Sequence, residues 1–545
     1  MNENSLNPNL TKCTLVILNG DIWTGDKNNP KAEAVAISED VIVFVGSNED
    51  IKSFLHPEIE IIDAKGQFIC PGFIDCHIHM IMGGERLNSV NLRPARTQKE
   101  FISYIGEFAK SKKKGDWITG GDWDHINWGG SLPTRFMIDS VTQDNPVWIG
   151  RYEGHTYLAN TLALKIAGLL EGKVELIEGG TVECDENGQM TGIFKDNALK
   201  LVFKAVPAAS TEENTKFMEL AMDYVISHGV TSVHNMIEPL DRNRGGTAKD
   251  AEIGNIEEIE GKLRTRIYVA TPIQFAKNLS EKLKSRPNSK LLRFGSLKGY
   301  IDGSLGSHSC LMFEPFENTP NYSGDFVNTL EDLYKWAKEA DEYGQQVFLH
   351  AIGDKGIHEV LNIFERIVKE NGQKDRRWRI EHSQHLKDKD IKRFAELGVI
   401  ASVQPFHLIQ DGRFIEKYLG KERLKNSFAF RSLIDAGAIL AFGSDWFVAP
   451  PNPLFTIHAA VNRTDGENIF TPEEKISVEE ALIAHTLHAA YSVHEENTKG
   501  SITRGKLADI AFLECNLFKI DSMKIKNVKV SKTILGGKVL YENNL

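Results

Sequence analysis

Two histidines one residue apart close the apolar run Pro71-Gly72-Phe73-Ile74-Asp75-Cys76-His77-Ile78-His79. On a β-strand alternate side chains share a face, so both imidazoles point the same way, toward the space the strand opens onto. Two imidazoles on one face can share a divalent metal, for which histidine is the commonest ligand. Alone, a His-x-His pair is a weak signal, because polar residues often end strands. Further residues of ligand type stand where later apolar runs end: Lys298 in Leu297-Lys298-Gly299, His350 after Val347-Phe348-Leu349, His382 in Arg379-Ile380-Glu381-His382, and Asp445 in Phe442-Gly443-Ser444-Asp445. Each taken singly reads more readily as a satisfied core histidine or a loop-capping acid than as a ligand. Taken in order, they read as groups gathered on one rim.

The elements that would gather them are apolar, strand-like runs at 68–74, 230–233, 266–270, 296–301, 346–349, 378–380, 399–403 and 439–442, separated by helix-like stretches. That alternation predicts repeated βα units and a parallel sheet. Eight such runs suit a TIM-type (β/α)8 barrel, in which chemistry collects at the C-terminal strand ends. The gap between the first and second run is too long for one βα connection, so an inserted subdomain is expected at about 115–200. Short alternating strands before residue 70 and again after 495 predict a small β-sandwich built from both chain ends. The expected organisation is therefore 1–70 and 496–545 for the sandwich and 71–495 for the barrel.

The chain has 545 residues, 41% hydrophobic and 26% charged, ordinary values for a globular enzyme with a sizeable core. A formal net charge of −11 disfavours nucleic-acid partners, and Lys112-Lys113-Lys114 reads as a solvated helix end. Six cysteines without a Cys-x-x-Cys pair argue against a disulfide framework and a structural zinc knuckle, which fits a reducing cytoplasm. The polar, Asn-rich start lacks the apolar stretch of a signal peptide, and no run is apolar and long enough for a membrane helix. The expected partner is a small-molecule substrate, and if the chain associates, a homodimer is the commonest form.

Pro71 to His79, His350, His382 and Gly443-Ser444-Asp445 together resemble the amidohydrolase superfamily. Gly120-Gly121-Asp122-Trp123-Asp124-His125, Gly154-His155, Lys298 through Ser307, His350-Ala351-Ile352-Gly353-Asp354, Val403-Gln404-Pro405 and Gly500 through Asp509 look like its branch containing N-substituted formamide deformylase. That branch also includes proteins labelled as exoenzyme-regulatory. The resemblance implies that His77, His79 and Asp445 bind a more buried metal and that His350 and His382 bind a more exposed one. It implies zinc as the commonest metal, one or two ions, and a carbon-dioxide-modified (carbamylated) Lys298 bridging them. A free ammonium has no lone pair with which to do this.

Metal chemistry then sets the expected mechanism. A metal lowers the pKa of bound water to about 7, giving a hydroxide that attacks an amide-like carbonyl. Asp445 is expected to act as general base and then general acid, with His382 or a metal stabilising the oxyanion. Trp123, His125, Trp128 and His155 in the insertion, with Gln404, His407 and Trp446 on later loops, are candidates for substrate contact. Asp302-Gly303-Ser304-Leu305-Gly306-Ser307 superficially suggests a phosphate loop, but GxxxxGK[ST] is absent and a turn at the rim is the better reading. Two alternatives remain open: a deaminase of the same superfamily and a catalytically silent regulator on the same fold. Single-metal deaminases typically place Glu three residues after the fifth-strand histidine, where this chain has Gly353.

Overall fold

Apolar runs that do not alternate with polar residues form strands buried on both faces, as a parallel sheet covered by helices requires. The computed structural model describes residues 13–543 except 152–155, 171–179, 197, 238–252, 255, 256, 259 and 413. It contains eight parallel strands in sequential order: β1 (Phe73–Ile78), β2 (Val230–Met236), β3 (Arg266–Pro272), β4 (Leu292–Tyr300), β5 (Gln346–Ala351), β6 (Arg379–His382), β7 (Ile400–Val403) and β8 (Leu440–Phe442). The last meets the first just beyond its end, where Asp445 N–H donates to His77 O at 2.7 Å and His79 N–H donates to Trp446 O at 2.8 Å. The sheet is thus a closed TIM-type barrel, and the two chain segments that close it carry three of the six candidate ligands, His77, His79 and Asp445.

Helices between the strands bury one stripe each. In Asp354–Asn371 the buried Ile357, Val360, Leu361, Phe364 and Ile367 recur at helical spacing, and Gly372 at φ 76° ends the helix. Thr329 caps Leu330–Glu342 by accepting from Asp332 N.

The run expected over 68–74 is two strands. Phe68–Pro71 belongs to the sandwich and Phe73–Ile78 to the barrel, with Gly72 at the crossing. A Cβ on Gly72 would stand 2.3 Å from Thr231 Oγ1, so only glycine lets the chain pass between the two sheets without a shift. Phe68–Pro71 pairs antiparallel with Ile510–Leu513 and parallel with Asp21–Trp23, so both chain ends meet in one six-stranded sheet. A four-stranded sheet of Val41–Gly46, Ala34–Ser38, Leu15–Leu18 and Glu60–Asp63 packs on it through Ile17, Val35, Ile69, Phe512 and Ile534. Arg266 on β3 donates twice to the buried Asp509, at 2.7 and 2.8 Å, tying barrel to sandwich.

A second compact unit spans Ile81–Ala221 and takes in the whole of the insertion expected at about 115–200. Its six-stranded sheet runs in the order Gly180–Cys184, Met190–Asp196, Thr156–Ala159, Trp148–Arg151, Gly120–Trp123, Val90–Asn91. Phe101, Ile105, Trp123, Ile138 and Ile149 fill the core against helix Gln98–Lys110. Among the described residues, no helix is long and apolar enough to cross a membrane.

Candidate metal centre

Strand β1 carries His77, and His79 follows directly on its end, in step with the strand's period of two. His77 Nε2 lies 3.4 Å and His79 Nε2 3.2 Å from the same oxygen, Asp445 Oδ1. The other nitrogen of each ring is already engaged: His77 Nδ1 meets Glu381 Oε2 at 2.5 Å, and His79 Nδ1 donates to Met236 O at 3.0 Å. A ring that donates through Nδ1 keeps its Nε2 lone pair, so two nitrogen lone pairs and a carboxylate oxygen converge on one point. The donor set fits a divalent cation of the zinc type: nitrogen and oxygen ligands, buried, with their outer hydrogen bonds in place.

Asp445 reaches this point because the backbone turns sharply there. Its φ is 57°, and His382 at the end of β6 has φ 75°, left-handed values uncommon for residues with side chains. Such conformations cost about 1–3 kcal/mol each and cluster where a side chain must be aimed. Asp75, buried within β1, holds the turn from below: its Oδ1 accepts from Ser444 N at 3.0 Å and its Oδ2 from Ser444 Oγ at 2.5 Å. Burial pushes the Asp75 carboxyl up to about 6 in spite of these bonds. Burial also opposes ionisation of Asp445, yet the imidazoles of His77, His79 and His382 around it hold its carboxyl well below the usual carboxylate range.

Glu381 and Arg379, named in the sequence only as neighbours of His382, form the support beneath His77. Both are fully buried. Arg379 Nε donates to Glu381 Oε1 at 2.7 Å and Nη2 to Oε2 at 2.9 Å; Ser402 Oγ adds a third donor to Oε2 at 2.6 Å. The guanidinium lies 3.9 Å over the Phe348 ring and also donates to His234 Nδ1 at 2.9 Å. Burial works against the Glu381 carboxylate, but Arg379 and His77 outweigh it and keep the carboxyl well below its ordinary value. The available signal was Arg-x-Glu inside a short apolar strand, two charges on one face with nowhere to go but the barrel interior.

His382 Nδ1 donates to Gln404 Oε1 at 2.7 Å, leaving Nε2 as a lone pair. This tautomer suits a cation ligand; stabilising an oxyanion by donation would require the opposite one. His350 faces His382 with ring centres 4.5 Å apart, and its Nε2 donates to Gly303 O at 3.2 Å. Burial, then the nearby Lys298 ammonium, pushes His77 down to about 4 and His350 down to about 3, so both rings are neutral and available as ligands at neutral pH. Lys298 itself is buried on β4, its Nζ 4.9 Å from the centre of the Tyr300 ring.

Among the residues expected to contact substrate, Gln404 is buried and holds His382. His407 is buried with Nε2 3.9 Å from Asp445 Oδ2. Trp446 packs against Tyr224 at 5.4 Å, and its neighbour Phe447, 38% exposed, stands edge-on to His79. In the second unit Trp123 lies wholly in the core, its Nε1–H bonded to Ile149 O at 3.1 Å; Trp128 packs on Phe101; His125 lies beside Trp123. His155 lies outside the described residues. The six-residue ligand set therefore divides: His77, His79 and Asp445 form one group of metal-binding geometry, and His382 forms a second with His407 and Asp445.

A family profile described as the amidohydrolase family matches residues 60–541. Protein LONG AFTER FAR-RED 3 of Arabidopsis thaliana is 38% identical over 538 residues, covering 97% of this chain and 91% of its own. N-substituted formamide deformylase of Arthrobacter pascens is 25% identical over 97% of this chain and 98% of its own. The crystal structure of an uncharacterised metal-dependent hydrolase from Pyrococcus horikoshii OT3 superposes with a TM-score of 0.76 at 28% identity, covering 93% of this chain and 99% of that one.

Proposed function

Because this chain belongs to the amidohydrolase family and is by that membership a metal-dependent hydrolase, we propose that it cleaves a non-peptide, amide-like C–N bond in a small molecule, with Asp445 as the proton carrier. The observation that carries this reading is the convergence of His77 Nε2, His79 Nε2 and Asp445 Oδ1, each imidazole locked by a hydrogen bond at its other nitrogen. His77, His79 and Asp445 would hold a divalent metal, which we take to be zinc and which would supply Lewis acidity able to lower the pKa of water to about 7.

The protein's own groups do the rest. Asp445, whose carboxyl lies well below the usual carboxylate range, accepts the proton released as water attacks and returns it to the leaving nitrogen. An amide nitrogen leaves readily only once protonated, so one carboxylate serves both halves of the reaction. The name of the Arthrobacter relative points to an N-substituted formamide as the first substrate class to try. Lys298 belongs to the same proposal: carbamylation would turn a buried cation beside His77 and His350 into an anionic oxygen donor. Its six free cysteines suit a reducing cytoplasm.

The test is elemental analysis of protein purified without chelator, joined to a hydrolysis screen over N-substituted formamides and N-acyl amines. The expected result is bound transition metal, turnover of a panel member, and a rate about 10²–10⁴-fold lower in folded Asp445→Asn. A folded, metal-loaded protein inactive on the whole panel would turn the reading toward a silent regulator. Full activity in Asp445→Asn would remove the assigned proton carrier.

A further inference from the structure

His234, on β2, is a fully buried histidine that the mechanism above leaves unused. Its Nδ1 accepts from Arg379 Nη1 at 2.9 Å, so the proton of the neutral ring sits on Nε2, which has no hydrogen-bond partner among the described residues. Burial, then the Arg379 guanidinium, holds the ring well below its ordinary pKa and therefore neutral. An orphaned buried N–H costs stability, and an apolar side chain packed on Tyr268 would carry no such cost. The histidine is therefore there for what its Nδ1 does.

What Nδ1 accepts from is the guanidinium that holds the ligand strand. Arg379 Nε and Nη2 grip the two oxygens of Glu381 at 2.7 and 2.9 Å. Nη2 also donates to Ser402 Oγ at 2.9 Å and, at 2.5 Å, to Cys76 O, the carbonyl just before His77. Among the described residues Nη1 meets His234 alone, so this one bond sets the roll of the guanidinium plane. Glu381 Oε2 in turn meets His77 Nδ1 at 2.5 Å. A continuous chain of hydrogen bonds, each of 2.5–2.9 Å, runs from His234 through Arg379 and Glu381 to His77.

We propose that His234 is a positioning residue for the metal centre: through Arg379 and Glu381 it fixes the orientation of the His77 ring, with the proton on Nδ1 and the lone pair on Nε2. The inference rests on the reading of His77 as a metal ligand. Without an acceptor at Nη1, a buried N–H of the guanidinium is stranded. The acceptors it can turn to are already in use: Glu381, Ser402 Oγ and Cys76 O. Turning toward them draws Glu381 away from the His77 ring. The same strand serves the other histidine directly, since Met236 O accepts from His79 Nδ1 at 3.0 Å and Asn235 Oδ1 accepts from Met80 N at 2.8 Å. The end of β2 thus sets the tautomer of both imidazoles.

The test compares wild type with His234→Leu, His234→Gln and His234→Asn in the full-length protein. Asparagine puts an amide oxygen near the place of Nδ1, whereas leucine has no acceptor and glutamine carries its oxygen toward the place of Nε2. Proton NMR of metal-stripped protein reads the downfield resonance of the His77 Nδ1–H on Glu381, identified by its absence in His77→Asn. Competition with a chromophoric chelator reads zinc affinity. The expected result is a resonance shifted upfield and zinc bound about tenfold more weakly in His234→Leu and His234→Gln, with the resonance and most of the affinity restored in His234→Asn. An unmoved resonance or unchanged zinc affinity in folded His234→Leu or His234→Gln overturns the proposal, as does a folded His234→Asn that binds as weakly as they do. Should His234→Leu fail to fold, the contrast between His234→Gln and His234→Asn decides the matter. These readouts involve no substrate: a wild type that hydrolyses nothing on the formamide panel refutes the function above, while the resonance and the zinc affinity still decide this inference.

Discussion

Glu381→Gln is the perturbation that reaches furthest into the reasoning, because one carboxylate serves both the stability of the barrel and the aim of His77. In the native protein it accepts four hydrogen bonds, from Arg379 twice, from Ser402 and from His77, at 2.5–2.9 Å. Glutamine keeps the shape, offers one acceptor oxygen, and presents an amide donor to groups that all donate. The larger effect is on Arg379, which is left as a buried guanidinium without a counter-charge. Breaking a buried pair in this way costs about 3–5 kcal/mol, a large share of the roughly 5–15 kcal/mol that holds a typical domain folded.

The second effect is on metal. Loss of the group that orients a ligating histidine lowers affinity about 10–100-fold, or about 1.4–2.8 kcal/mol. Urea unfolding of metal-free protein by circular dichroism measures the first effect, and chelator competition on folded protein measures the second. Combining Arg379→Met with Glu381→Gln should restore most of the stability, since neither charge remains buried alone. It should leave metal affinity low, because an amide oxygen is a weaker acceptor for His77 than a carboxylate. Unchanged stability and metal affinity in the single variant would refute the role given to Glu381. A double variant as unstable as the single one would show that the lost stability did not come from the stranded guanidinium.

Gly443→Ala should weaken metal binding tenfold or more with every ligand intact, as read by the same chelator competition. A Cβ there would stand 2.5 Å from the backbone nitrogen of His77 and 2.9 Å from its Cβ, so either Asp445 or His77 must move; unaltered affinity would show that the rim is more pliable than described. His485, buried between Phe73 and Phe442 with Nδ1 on Ile74 O, is pushed down to about 4 by burial, against an unfolded value of about 6.5. Its folded pKa is depressed, so the unfolded chain binds the extra proton between those values. Stability is present above about pH 6.5 and falls on acidification toward 4, by about 1.4 kcal/mol per pH unit for this one group. His485→Asn should flatten the urea-midpoint-against-pH curve over that window, and an unchanged slope would show that His485 is not a source of it.

The ligand strands were legible because their signals are local. A period of two puts His77 and His79 on one face whatever surrounds them, and apolar runs ending in His or Asp mark strand ends that open onto a common rim. The junction at Gly72 was not legible, because Phe68 to Ile78 is equally apolar on both sides and only the packing of Thr231 shows where one sheet stops. Gln404 and His407 were read as substrate contacts from their position after β7; the fold places one on His382 and the other facing Asp445. Trp123 had the aromatic character of a pocket wall, and the fold of its own unit uses it as core.

Local periodicity and chain order were enough for the barrel, for a sandwich made of both chain ends and for the placing of His77, His79 and Asp445 at strand ends on one rim, because each depends on residues near one another in sequence or on strand ends that any such barrel brings together; the reading of these three as metal ligands came from the resemblance to the amidohydrolase superfamily. Which polar groups support those side chains is visible only once the chain is folded. Glu381 lies 304 positions from His77 and Ser444 lies 369 from Asp75, and a hydrogen bond acts over about 3 Å of space with no trace along the chain.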